Sequence, residues 1–432
     1  MDERLAESAD RSQFLRLYGL AMTAKTRTDL AVLGGQPAFL EELHVGRPNI
    51  GHRDKLFKRL GDLLDRKWLT NQGPLVEEFE QRLAKYLGVR HCITTCNATV
   101  GLLIAARAVG LSGEVIIPSF TFVATAHALR WNGIKPVFCD VDARTHTLDP
   151  VKVEELVNSR TTGIVGVHLW GRPCAVDALG SIARRHRLEL LFDAAHAFGC
   201  TVDGRMVGRF GTAEVFSFHA TKVLNSFEGG AITTGDDAIA AKIRLMINSG
   251  FADYDKVVSI GINGKMSEPA AAMGLTSLES VDGFVAHNKE MYRRYHEQLG
   301  GVAGVEVLRV AENERHNYHY IVLTVGEGAG LTRDELQRVL WAEGVRARRY
   351  FHPGCHRMEP YRAADPDVGR RLPVTERLSA QVLCLPTGTA VNRADVDAVC
   401  EIIRTALTRR AEVRAALANP SHALAWSVAG RA

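Results

Sequence analysis

Short apolar runs alternate with amphipathic stretches through most of this chain. Val115–Ile117, Pro136–Cys139, Leu188–Phe192 and Val215–Phe218 are compact runs bounded by turn residues, the pattern of buried strands. Cys92–Thr95 reads as another strand, and Thr162–Trp170 contains one more. Between them, apolar residues recur at helical spacing over Asp54–Leu64, Leu75–Leu87, Val176–His186 and Asp236–Ile247, with a further helix starting near Ala98. The Asn71–Pro74 turn separates the first two. Such alternation predicts a mostly parallel sheet between helices. From about Leu275 a helix carrying Leu278, Val281, Phe284 and His287 is expected to run on to Leu299. Beyond it, strands at Val305–Val310, Tyr318–Val325 and Arg346–Tyr350 and a helix at Arg333–Glu343 predict a smaller α+β domain. Leu5, Phe14, Leu17 and Leu20 suggest a helical N-terminal extension, and from Arg409 onward a helix fades into an Ala-rich tail.

The polar residues at the strand ends carry the chemistry. Ligands of open α/β sheets bind beyond the carboxyl ends of strands, so Asp193, His196, Ser217 and Lys222 could share one crevice. An amine, a carboxylate and a small-residue loop suit pyridoxal phosphate, whose aldehyde, ring nitrogen and phosphate need those partners. Lys222 would form the Schiff base and then move a proton, with desolvation and a nearby positive charge lowering its pKa. Asp193 would keep the ring nitrogen protonated, His196 would reach the phenolic oxygen, and Ser217 would donate to the phosphate. The plainer readings are a helix N-cap for Asp193 and a solvated charge for Lys222.

Composition narrows the class. Hydrophobic content of 46% and charged content of 24% are those of a soluble globular chain. A net charge of +4 gives no argument for nucleic acid. No apolar run reaches membrane-spanning length, and MDERLAESADRS lacks the form of a signal peptide, so a cytoplasmic location is expected. The Cys92/Cys96 pair has no second pair to complete a zinc site, and neither metal nor disulfide is expected. Asp140 and Asp142 read as strand-end turn residues.

FDAAHAFG, the GxFG of Gly208–Gly211, FSFHATK and EGGAI, in this order, resemble the nucleotide-sugar aminotransferases of the DegT–StrS type. The likeness runs from about Leu33 to about Ala406. It implies a fold-type-I pyridoxal-phosphate enzyme with a mostly parallel seven-stranded sheet. The expected organisation is an extension over residues 1–32, a cofactor-binding domain over 33–285, a small domain over 286–408 and a tail over 409–432. By resemblance Lys222 is the cofactor-bearing lysine, and Asp193, His196 and Ser217 hold the ring nitrogen, ring oxygen and phosphate. Asn97-Ala98-Thr99 stands where the family has a phosphate-binding N/S-G-T motif, so Ala98 and Thr99 would offer N–H groups there. Phe122 would lie over the pyridine ring. GINGKMSEPAAAMG resembles the segment whose Asn263 reaches the phosphate in the neighbouring subunit, which implies a homodimer with shared sites.

Thr70 and His319 are implied near the substrate. RARRYFHPGCHR, with Arg349 and His352 foremost, could neutralise a diphosphate, hold a carboxylate, or form a solvated basic edge. A dehydrating branch of the family carries His in place of the lysine, so Lys222 favours transamination. FHATKVLNSFEGGAI resembles the subgroup that aminates C4 of dTDP-4-keto-6-deoxyglucose with L-glutamate as donor. Amination at C3 or of a cyclitol, sugar dehydration, and a non-catalytic cofactor-binding regulator are the alternatives.

Overall fold

A computed structural model describes residues 29–418. Its centre is a seven-stranded sheet of β1 (His91–Thr95), β2 (Glu114–Pro118), β3 (Lys135–Cys139), β4 (Thr161–Val167), β5 (Glu189–Asp193), β6 (Ala213–Ser217) and β7 (Gly230–Thr234). The order is β1-β7-β6-β5-β4-β2-β3, and only β7 runs antiparallel to its neighbours. Successive side chains leave opposite faces of a strand, so each apolar run feeds two cores. Ile116, Leu190, Phe192 and Phe216 join Phe79, Leu83 and Leu275 on one face. Val115, Ile117, Leu191 and Val215 join Ile104 and Ile243 on the other. Burial on both faces explains why these strands read as continuous apolar runs.

The strand β7 was not anticipated. It begins in the EGG stretch, and the glycine there is sterically required. A Cβ on Gly230 would lie 2.8 Å from both the Ala98 nitrogen and the Phe216 oxygen. The GxFG turn is likewise held by one buried side chain: Glu214 Oε1 accepts the N–H groups of Gly208 (2.8 Å) and Phe210 (2.6 Å). Its other oxygen faces His168 Nε2 at 3.1 Å, which places His168 in the interior rather than in the cleft.

Other expectations were shifted. The single helix expected from Leu275 to Leu299 is two, Glu268–Leu278 and Val281–Leu299. The apolar spacing of Leu275, Leu278 and Val281 continues across the break, so periodicity does not reveal it. The break falls at Glu279 and Ser280, where the Ser280 Oγ bonds back to the Thr276 carbonyl at 3.2 Å. Residues 318–320 precede their strand, which is Ile321–Val325, because Asn317 Oδ1 accepts the His319 N–H at 3.1 Å and holds a turn. Of the strand expected at Arg346–Tyr350, only Val345–Arg346 pairs, with Leu43–His44, and Arg348 makes one bridge to Cys384.

The second core lies in the C-terminal half. Antiparallel strands β8 (Val305–Val307), β9 (Ile321–Val325) and β10 (Val382–Leu385) pack with the helices Arg333–Ala342 and Arg393–Thr408. Leu30, Val32 and Leu43 belong to this core, although the large domain was expected to begin at residue 33. Val413 and Leu417 of the helix Arg410–Ala418 are buried in it too, so the described part of the expected tail is packed. The rest of that tail and residues 1–28 of the expected extension lie outside the described residues. Asp140 joins the two halves: its carboxylate accepts the N–H groups of Val374 (2.9 Å) and Thr375 (2.8 Å) at the start of the helix Pro373–Gln381. Asp142 accepts from the Arg144 and Thr145 N–H groups at 2.9 Å each, as a turn residue does.

Candidate active site

A cleft of about 570 Å³ opens at the carboxyl ends of β5 and β6, beside the helix Ala98–Ala108. Asp193 ends β5 and is 5% exposed. Thr125 donates its hydroxyl to Oδ2 at 2.8 Å, and the Ala195 N–H reaches Oδ1 at 3.1 Å. Burial raises the Asp193 pKa above the usual carboxylate value, and these two bonds together with Lys222 oppose that rise. Lys222 follows β6 in a loop, its N–H bonded to the His219 carbonyl at 2.9 Å. Its Nζ donates to the Tyr320 hydroxyl at 3.1 Å. Burial lowers the amine to about 8, with Asp193 pulling the other way.

The anion side of the cleft is built from backbone and hydroxyl. The first-turn N–H groups of Ala98 and Thr99 have no intrahelical partner, while Asn97 Oδ1 takes the Val100 N–H at 2.9 Å. Ser217, the last residue of β6, lines the same cleft. His196 is 8% exposed, and burial pushes it well below its usual pKa, so its ring is neutral. The ring is stacked 5.8 Å from Trp170 and 5.8 Å from Phe351, and the tilted Tyr320 ring lies 4.2 Å away. Phe122 is 58% exposed at the cleft and leaves an aromatic face open towards it.

This donor set fits pyridoxal phosphate: a primary amine with depressed pKa, a buried carboxylate, a helix start with a hydroxyl beside it, and an open aromatic face. The DegT/DnrJ/EryC1/StrS aminotransferase family model matches residues 52–404. The chain belongs to that family. The dTDP-4-amino-4,6-dideoxy-D-glucose transaminase of Shigella dysenteriae is 36% identical to it, over 84% of this chain and 98% of the relative. The GDP-perosamine synthase of Caulobacter vibrioides is 37% identical, over 83% and 97%. A crystal structure of DesI in the presence of its TDP-sugar product superposes with a TM-score of 0.84 at 50% identity, covering 90% of this chain and 98% of that one. This is a pyridoxal-phosphate-dependent sugar aminotransferase.

Seven residues expected from the sequence meet in this aminotransferase cleft: Ala98, Thr99, Phe122, Asp193, His196, Ser217 and Lys222. Five others do not line it. His319 is buried behind the lysine loop, its Nε2 2.7 Å from the Thr221 carbonyl. Burial lowers it to about 4, so the ring is neutral and Nε2–H donates to that carbonyl. Arg349 is bound to Asp334 at 3.1 Å, and His352 lies 3.3 Å from the Ser379 carbonyl. Thr70 is exposed, and its carbonyl accepts from Trp68 at 2.8 Å. Asn263 is exposed and bridged to Asn248.

Thr125, Tyr320 and Phe351 were missed, and Arg348 was expected only as one member of the basic cluster. Thr125 sits one helical turn after the aromatic Phe122, a spacing that a search for carboxylate partners could have used. The other three come from the C-terminal half, where only the basic cluster of the RARRY stretch gave a signal. Among the described residues no group of His, Cys, Asp and Glu could hold a metal, and no helix is long and apolar enough to cross a membrane.

Proposed function

We propose that this enzyme transfers the amino group of L-glutamate to C4 of dTDP-4-keto-6-deoxyglucose, giving dTDP-4-amino-4,6-dideoxyglucose. The likeness to DesI carries this reading, because half of the aligned residues are identical to a protein crystallised with a TDP-sugar product. The Shigella relative, named for a dTDP-4-amino-4,6-dideoxyglucose, supports it. The Caulobacter relative favours a second reading in which the sugar is carried by GDP.

Pyridoxal phosphate, when bound, supplies an aldehyde for amines and a ring that takes up the electron pair of a broken C–H bond. The remaining work falls to side chains. Lys222 would hold the cofactor's aldehyde and, once the donor's amine takes that place, would remove and return protons at the reacting carbons. Its lowered pKa leaves a usable fraction as free base near neutral pH. Asp193, oriented by Thr125 and Ala195, would present its charge to the ring's N–H. His196 would meet the ring oxygen, Ser217 and the first turn at Ala98 and Thr99 would take the phosphate, and Phe122 would cover the ring.

The active unit is a homodimer in this reading. Phe251–Ile262 presents a run of exposed apolar side chains, with Tyr254 92% and Ile260 78% exposed, a surface that calls for a partner. Asn263 ends that run and is assigned to the phosphate of the neighbouring subunit. All eight cysteines are free, which suits the reducing cytoplasm.

The test is an absorbance spectrum of the pure holoenzyme, first with L-glutamate and then with dTDP-4-keto-6-deoxyglucose. The yellow cofactor band should bleach with the first and return with the second. A band that bleaches but returns only with a GDP-linked 4-keto sugar would transfer the proposal to that nucleotide.

A further inference from the structure

The three arginines of RARRY have different fates in the fold. Arg346 pairs with Glu42, and its guanidinium lies 5.6 Å from the Trp341 ring. Arg349 pairs with Asp334 at 3.1 Å. Arg348 lines the cleft, and no carboxylate pairs with it among the described residues. Its backbone is pinned on both sides: its N–H donates to the Cys384 carbonyl at 3.1 Å, and its carbonyl accepts the Cys384 N–H at 2.8 Å. Its guanidinium lies 5.9 Å from the Tyr350 ring, which restricts the arm further.

The charges around the cleft give that arm a purpose. Among the described residues of this chain that line the cleft, Lys222 is the one lysine, which the cofactor would occupy, and Arg348 the one arginine. His196 is neutral, and His219 is occupied by Glu228 at 3.5 Å. The helix start and Ser217 serve the cofactor phosphate. Yet both substrates are anions: the amino donor carries carboxylates, and the sugar carries a diphosphate. Planar guanidinium forks match paired anionic oxygens.

We propose that Arg348 is the substrate-anion anchor of this cleft, gripping paired oxygens of the donor's carboxylate or of the nucleotide's diphosphate from the C-terminal domain. The inference rests on the aminotransferase reading and narrows the basic cluster of the sequence to one residue.

The experiment is a pair of binding titrations on holoenzyme, using dTDP and glutarate as probes that cannot turn over. Wild type, Arg348→Gln and Arg348→Lys are compared, with thermal melts to check folding. Loss of a charged hydrogen-bonded pair predicts affinity about ten- to a hundredfold weaker in Arg348→Gln. Arg348→Lys should recover part of it, since the charge remains and the fork is gone. Weakening for dTDP alone assigns the diphosphate, weakening for glutarate alone assigns the carboxylate, and weakening for both assigns a shared anchor. Affinities within twofold of wild type for both probes, or two probes that bind neither protein, overturn the proposal. The glutamate-induced bleaching of wild type reports separately on the aminotransferase reading.

Discussion

The Nζ of Lys222 donates to the hydroxyl of Tyr320 across 3.1 Å, joining the catalytic loop of the large domain to a residue just before a strand of the small one. That bond sets the direction in which the amine points. Tyr320→Phe should keep cofactor binding and slow both half-reactions about three- to tenfold, the range of one lost hydrogen bond of about 0.5–1.5 kcal/mol. Lys222→Ala, compared alongside, should fold normally and show no turnover. Single-turnover spectra of the two variants separate orientation from chemistry; equal rates for Tyr320→Phe and wild type would remove Tyr320 from the mechanism.

Asp193→Asn should keep the Ala195 N–H on its amide oxygen and turn its amide nitrogen to the Thr125 hydroxyl, which then accepts instead of donating, while removing the charge. The expected loss in kcat is at least about 100-fold, the scale of a lost electrostatic partner in a dry site. A variant within a few-fold of wild type would mean that another group holds the ring nitrogen.

The amine of Lys222 titrates at about 8 in the fold against 10.5 for an ordinary lysine. Cofactor capture requires the free base, so its rate in the apo-protein should rise with pH and level off above about 8. Asp193 favours the charged amine. Removing its charge should therefore move the midpoint to lower pH. Stopped-flow mixing of apo-protein with pyridoxal phosphate across the pH range measures both; a midpoint near 10 in wild type would show the amine to be solvated.

Glu268 is fully buried and caps the helix Pro74–Leu87, its Oε2 accepting the Leu75 N–H and its Oε1 the Val76 N–H, each at 2.9 Å. Glu268→Ala leaves both donors without partners and should cost about 2–4 kcal/mol. Glu268→Gln keeps one acceptor and should cost less. Urea unfolding midpoints order the three proteins; equal midpoints would mean water replaces the carboxylate.

The exposed run at Phe251–Ile262 predicts the behaviour of Val258→Asp combined with Ile260→Asp. Charges on an apolar interface should shift the protein towards monomer in sedimentation velocity and lower activity in parallel. An unchanged sedimentation coefficient with full activity would place the dimer contact elsewhere.

Local spacing along the chain encodes much of this aminotransferase. Strand and helix periods, turn residues and the order of the motifs located the sheet, and they set Asp193 just after one strand, Ser217 within the next and Lys222 just beyond it. Those placements follow from chain geometry alone, because a strand end and the loop after it are neighbours in sequence. Which distant groups meet them depends on the packed fold. Tyr320 reaches Lys222 from 98 residues away, and of three adjacent arginines only Arg348 lines the cleft. Periodicity says that a residue has a face, but not what that face meets, and the three arginines differ only in whether Glu42, Asp334 or open space lies opposite. The same limit hid the Leu30–Leu43 contribution to the C-terminal core, since apolar residues record the need for burial and not the partner that provides it.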